Sequence, residues 1–263
     1  RFQAASREHP GVIRHLELRY TGKALSSKQP AIELDNCSPT LEDITFKENY
    51  RNGARLEGTR FELRTLTLDS ATVPYIISDN LTVPRNETLT IDPGVALKFD
   101  FTKSILVEGI LRAVGSSEHK ILMTSIKDDS AINDTNNDGY FTLPERGDWG
   151  GVLFAHMSDD DNCVMEWVAL RYGGNAGFGK GKIGPVRLDN ASPTLSKVNF
   201  VHNWINGVEI PEGPLRSDTW DNVDVVHFVS GNLEIPSGET LTIQSGIVVK
   251  VLNTVSYTRK PTI

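Results

Sequence analysis

Helical periodicity is missing from this sequence. No stretch of twelve residues places apolar side chains at the spacing of an amphipathic helix. No run of eighteen apolar residues occurs either, so nothing reads as a membrane-spanning helix. Cysteine is scarce, with two in 263 residues, which excludes a disulfide-built scaffold. Basic residues number 27 against 34 acidic ones, and the net charge of −7 argues against a nucleic-acid partner. Signatures of catalysis are also absent. There is no Gly-x-Ser-x-Gly elbow, and the six histidines (His9, His15, His119, His156, His202, His227) show no His-x-x-x-His spacing for zinc. The glycine-rich run Gly173–Lys182 lacks the Gly-Lys-Ser/Thr ending of a phosphate loop and reads as a flexible connection.

What the sequence does have is a copy of itself. Val12–Tyr20 lies over Val164–Tyr172, and Leu81–Lys98 over Leu233–Lys250, both at an offset of 152. The second window holds nine identities in 18 positions. Between them the offset becomes 154, where Asp35-Asn36-Cys37-Ser38-Pro39-Thr40-Leu41 matches Asp189-Asn190-Ala191-Ser192-Pro193-Thr194-Leu195. Copy one covers 1–152 and an incomplete copy two 153–263. The chain has no initiator methionine and starts inside a repeat, so it reads as a piece of a longer protein.

Each copy is built of smaller units. Short stretches such as Ala31-Ile32-Glu33-Leu34, Leu63–Leu68, Leu89-Thr90-Ile91 and Ile105-Leu106-Val107 alternate apolar and polar residues between Asn, Gly, Pro, Asp and Ser. That pattern means strands. Two or three fall in every 22–28 residues, the size of one coil of a parallel β-solenoid. The expected fold is all-β: a single solenoid over 1–263 with roughly ten coils, each rising about 4.8 Å, in a rod roughly 50 Å long. A β-sandwich is the competitor. Asn52-Gly53 and Asn206-Gly207 are hairpin signals, but they occupy equivalent repeat positions, where a solenoid corner would use a glycine's positive φ.

The order of motifs is similar to a known family. It runs from Leu81-Thr82-Val83-Pro84 through Thr88–Phe99, Ile105–Gly115 and Ile121–Asp129 into Asp134–Gly139, and closes at Gly147-Asp148-Trp149-Gly150-Gly151-Val152. This resembles the right-handed parallel β-helix repeat proteins secreted by bacteria, often long and displayed on the cell surface. The resemblance covers nearly the whole chain, except that Leu252–Ile263 fits poorly. It implies the fold and an extracellular or cell-surface setting. It does not choose a function, because the same helix carries lyases, hydrolases, adhesins and spacers.

One motif carries chemistry. Asp134-Thr135-Asn136-Asn137-Asp138-Gly139-Tyr140-Phe141-Thr142-Leu143-Pro144-Glu145 follows the twelve-position calcium loop. Asp134, Asn136 and Asp138 take positions 1, 3 and 5, Gly139 the turn at 6, the Tyr140 carbonyl 7, Thr142 position 9 and Glu145 position 12. A hard dication wants six to eight oxygens, and alternate residues in a tight turn aim theirs inward. With no flanking helices, the loop is expected to be a calcium-tied insertion (128–148) between coils, with Asp128, Asp129 and Asp148 as an outer shell. Ser158–Asn162 is a second acidic cluster, read as a solvated turn. Five Asn-x-Ser/Thr sequons (Asn36, Asn80, Asn86, Asn133, Asn190) are read as turn asparagines.

Cys37 and Cys163 are 126 residues apart. That is about five coils, or more than ~20 Å along the axis, too far for a disulfide. Two free thiols are expected.

Function follows from regularity. The chain spends its residues on repeat, so the expected role is a non-catalytic stalk or adhesive rod contacting polysaccharide or other surface proteins. Paired residues such as Arg19/Arg171, Asp35/Asp189 and Lys98/Lys250 would offer repeated contacts. The alternative is a polysaccharide lyase or glycoside hydrolase, with Glu33, Asp35 and Glu57 as candidate carboxylates on neighbouring coils. The only Thr-x-Thr pairs that could neighbour one another, Thr65/Thr67 and Thr88/Thr90, make too short a ladder for ice binding. Open coil edges predict end-to-end self-association.

Overall fold

A computed structural model describes residues 2–3, 11–21, 29–35, 37–57, 65–175 and 181–252. His9, Asn36, residues 176–180 of the glycine-rich run and the poorly matching C-terminal residues 253–263 lie outside these. Among the described residues every pairing between strands is parallel, and three sheets carry most of the strands. An eight-stranded sheet runs through Phe2–Gln3, Ile32–Asp35, Ala54–Glu57, Tyr75–Ile77, Ala96–Phe99, Ile121–Ser125, Val168–Arg171 and Asn199–Val201. A seven-stranded sheet runs from Leu81–Val83 to Val248–Val251, and a five-stranded one from Leu66–Leu68 to Thr194–Ser196. The chain visits the sheets in rotation, for instance Ser104–Val107, Ile110–Val114, then Ile121–Ser125. This is a right-handed parallel β-helix.

Alternation explains why these segments wind this way. In Ile32–Asp35, Thr88–Ile91 and Ser104–Val107 every second side chain is buried. The inward set, with Leu34, Tyr75, Leu97, Val107, Met123 and Leu170, forms one continuous core. Gly53 and Gly207 serve it by closeness, not by a left-handed backbone as their hairpin-like pairs suggested. Neither has positive φ. A Cβ would sit 2.7 Å from the Pro74 carbonyl oxygen at Gly53 and 2.4 Å from that of Val226 at Gly207. The next coil passes too near for any side chain.

Residues matched across the sequence offset make matching contacts. Left-handed corners at His15, Tyr20, Asp43 and Glu48 recur at Trp167, Tyr172, Lys197 and His202. Buried Asn49 donates from Nδ2 to the Leu18 carbonyl at 2.9 Å and bonds Asn52, and Asn203 does the same to Leu170 (2.9 Å) and Asn206. Thr65 N–H donates to Glu87 as Ser217 N–H does to Glu239. One pair is swapped in sign: Glu33–Arg55 (3.5 Å) becomes Arg187–Glu209 (3.8 Å) at the same register.

The matched strands do not share a face. Phe2–Gln3 belongs to the eight-stranded sheet and its match Gly151–Phe154 to the seven-stranded one. Ala96–Phe99 and Val248–Val251 differ in the same way. Five steps along the first sheet reach Ile121–Ser125, and Gly151–Phe154 is the next strand of the rotation. The offset thus winds five turns and a third. Lys98 and Lys250 therefore look out in directions a third of a turn apart, and matched residues cannot line one flat face.

His227, matched to Tyr75, is buried and stacked on Trp220 with ring centroids 4.6 Å apart. Burial pushes its pKa below the ordinary 6.5. The unfolded chain then binds the proton more readily, so stability falls as pH drops through about 6.5. The expected result is an acid-side drop in melting temperature that His227→Phe reduces, measured between pH 7.5 and 5.

Candidate metal centre

Most described strands show an exposed outer side, but Tyr75–Ile77, Ala96–Phe99 and Val208–Ile210 are buried throughout. Ile76, Lys98 and Thr124 form one outward row in register, and all three are fully buried. The cover is the insertion that follows Ser125. Lys98 Nζ donates to the carbonyls of Asp128 (3.0 Å) and Asn133 (2.7 Å). Thr124 Oγ1 donates to Asp128 Oδ2 at 2.7 Å. Further back, Asn52 N–H reaches the Thr135 carbonyl (2.8 Å) and its Nδ2 the Asp134 carbonyl (2.9 Å). The insertion is thus a strap laid across the turns that carry Asn52, Ile76, Lys98 and Thr124.

Its far end is fixed to the following turns. Asp148 N–H donates to the Tyr172 carbonyl (2.8 Å), and Asn175 Nδ2 to that of Gly147 (2.8 Å). Trp149 stacks on Phe99 at 4.2 Å and donates from Nε1 to the Arg171 carbonyl at 2.7 Å. Gly147 has φ +79°, and a Cβ there would lie 1.8 Å from Trp204 Nε1.

At the crest of the strap, carboxylate oxygens of Asp129, Asp134 and Asp138 lie within 4.8 Å of one another. Asp134 folds the turn by accepting the N–H groups of Asp138 (3.2 Å) and Gly139 (2.8 Å). Asn136 Nδ2 donates to Asp138 Oδ2 at 2.9 Å, and the Thr142 hydroxyl bonds that same oxygen. Three buried acceptor oxygens then have no hydrogen-bond partner: Asp129 Oδ1, Asn136 Oδ1 and Asp138 Oδ1. A buried acceptor without a donor costs about 1–3 kcal/mol. Burial pushes Asp129 up to about 6, the Asp134 carboxylate adds to the rise, and the Lys98 ammonium opposes it. Burial likewise holds Lys98 down to about 8, against the pull of Asp128, Asp129 and Asp134. Crowded carboxylates and unpartnered hard oxygens are a donor set that fits a divalent cation.

The loop pattern and the geometry differ in membership. Asp134, Asn136 and Asp138 come together, whereas the Glu145 carboxylate lies outside the acidic group and is exposed. Glu145 instead gives its N–H to Asp148 Oδ2 (3.0 Å). The Tyr140 side chain points to solvent, with φ +86°. Asp129, read as outer shell, stands in the group itself. Asp128 is committed to Thr124 and Ser130, and Asp148 to Ser125 and Lys127. Lys98 was missed as the anchor. Its signal was a lysine inside the apolar run Val95-Ala96-Leu97-Lys98-Phe99.

Elsewhere the polar clusters are structural. In Ser158–Asn162, Asp159 bonds Asn162 and Asp160 pairs with Arg216 at 2.6 Å. Asn80 and Asn190 accept backbone N–H groups of Ser104 and Arg216. Cys37 and Cys163 are both free thiols, and burial raises the pKa of each. Of the carboxylates considered for glycan cleavage, Glu33 pairs with Arg55. Asp35 and Glu57 are register partners, and the Glu57 side chain lies outside the described residues.

Comparison with known proteins adds one partial likeness. The chain is 40% identical to the protein bark beetle of Drosophila melanogaster over 52 residues, 20% of this chain and 2% of that protein. No family model matches, and no solved structure does. The β-helix stands on its sheets, while the bacterial secreted family finds no support in these comparisons. Among the described residues no helix is long and apolar enough to cross a membrane.

Proposed function

We propose that the chain is a non-catalytic module of an extracellular or cell-surface β-helical rod, whose outer strap is tied down by one calcium ion. The observation that carries this reading is the coincidence of three unpartnered buried oxygens with a strap spanning four turns. Asp129, Asn136 and Asp138 would hold the ion, with Asp134 beside it. The ion would neutralise the carboxylates that crowd Asp129 and fix the crest above Lys98. Extracellular calcium is abundant enough for modest sites of this type.

A rod stiffened along its side suits a spacer or an adhesive module that displays its outer faces to polysaccharide or other surface proteins. Because matched residues turn by a third between repeats, such contacts would be made by one copy at a time. Open coil edges would let such rods associate end to end.

The test is incubation with acidic and neutral polysaccharides, followed by assays for retained binding and for new reducing or unsaturated ends. The reading expects no new chain ends at any calcium concentration. Turnover abolished by Asp35→Asn would replace it with an enzyme.

A further inference from the structure

Among the five Asn-x-Ser/Thr sequons, the fold uses the side-chain oxygen of three. Asn80 Oδ1 accepts the N–H and hydroxyl of Ser104 (both 3.2 Å), Asn133 Oδ1 the Thr135 hydroxyl (2.8 Å) and Asn190 Oδ1 the Arg216 N–H (2.9 Å). Asn86 differs. Its side chain is exposed and makes no hydrogen bond among the described residues. It stands at the corner between Leu81–Val83 of the seven-stranded sheet and Thr88–Ile91 of the five-stranded one. Glu87 N–H donates to the Pro84 carbonyl at 3.1 Å, closing a turn in which Asn86 takes φ +65°. Both neighbouring coils are in place there: Thr65 N–H donates to the Glu87 carboxylate, and Ile110 N–H to the Glu87 carbonyl (3.0 Å). The exposure therefore belongs to the corner itself.

The second copy isolates what Asn86 adds. Pro236-Ser237-Gly238-Glu239 makes the same turn, with Glu239 N–H on the Pro236 carbonyl at 3.0 Å and Gly238 at φ +92°. Pro84, Glu87 and Thr88 recur as Pro236, Glu239 and Thr240. Glu87 has a use in the fold, since it holds Thr65 as Glu239 holds Ser217. Asn86 replaces a glycine, the residue such a left-handed turn position favours. It brings an amide that the fold does not use, and it completes the sequon Asn86-Glu87-Thr88.

We propose that Asn86 is an N-glycosylation site. Its Nδ2 forms a bond to C1 of the first sugar of a lipid-pyrophosphate-linked oligosaccharide. The bond from C1 to the pyrophosphate oxygen breaks, the lipid pyrophosphate departs and the amide gives up one proton. A glycan on this corner extends into solvent without breaking any bond of the fold, and it marks the corner as one the rod does not bury against a partner. The site needs the extracellular setting proposed above, because the modification belongs to secreted chains.

The test is expression of the chain behind a secretion signal in a eukaryotic host. Glycans are released from the denatured protein by an amidase in heavy-oxygen water, and the peptide 86–98 is read by mass spectrometry. Asn86 is expected as heavy-oxygen aspartate in most chains. Asn86→Gly, which installs the residue of the second copy, removes one glycan from the ladder of glycoforms and melts no lower than the parent. Secreted chains with unmodified Asn86 overturn the proposal, as does a glycoform at Asn86 that melts below Asn86→Gly. If the chain is retained in the cell, the same peptide is read from the retained protein. A modified Asn86 there upholds the site and counts against the extracellular setting alone.

Discussion

Trp149→Ala lowers the unfolding free energy by about 3–5 kcal/mol, the range for deleting a buried aromatic side chain. The residue is fully buried and stacks on Phe99 inside the helix. Its Nε1–H also satisfies the Arg171 carbonyl, which the substitution leaves without that donor. A third loss follows from position. Trp149 is where the strap rejoins the coils, next to Asp148 and its bond to Tyr172. At roughly 2–4 °C per kcal/mol for a chain near this size, the melting temperature falls by ~10 °C. Trp149→Phe keeps most of the stack and loses the hydrogen bond, so it costs about 1–3 kcal/mol. Circular dichroism melts of the three proteins check this order.

Chelation is the second large effect. A ligand bound only by the native state stabilises it by about 2.7 kcal/mol at a hundredfold excess over Kd. The chain in excess calcium should therefore melt several degrees above the chelated chain. Asp138→Ala abolishes the difference, since Asp138 brings one unpartnered buried oxygen and organises Asn136 and Thr142 with the other. Two further variants separate the geometry from the twelve-position pattern. Asp129→Asn weakens calcium binding at least tenfold, while Glu145→Gln changes it less than twofold. The reverse order would restore position 12 and remove Asp129 from the site.

Much of the fold could be read from the chain. Alternation in segments such as Thr88–Ile91 reports directly which side faces the core, and the offset pairs His15 with Trp167, both of which take a left-handed backbone. Two features could not be read that way. The fractional turn between matched strands depends on where the loops lengthen, which no pairwise match records. The seating of the strap depends on Asn52 and Lys98, distant in sequence and brought together by coil stacking. At the candidate site, spacing brings Asp134, Asn136 and Asp138 into view because they share one tight turn. It put Asp129 only in an outer shell, although Asp129 joins the acidic group from the preceding corner, and it counted Glu145, whose carboxylate lies outside that group and whose N–H is held by Asp148.

The measurement closest to the central claim is amide exchange at Asn52 and Gly139, in calcium and after chelation. Both N–H groups are held by the strap, Asn52 through Thr135 and Gly139 through Asp134. A calcium-tied strap predicts slow exchange in calcium and roughly hundredfold faster exchange on chelation, the equivalent of about 2.7 kcal/mol. Core amides such as Leu122, which bonds Val95, should stay slow throughout. Equal rates at Asn52 and Gly139 with and without calcium would contradict the claim and leave the strap held by Lys98 and its hydrogen bonds alone.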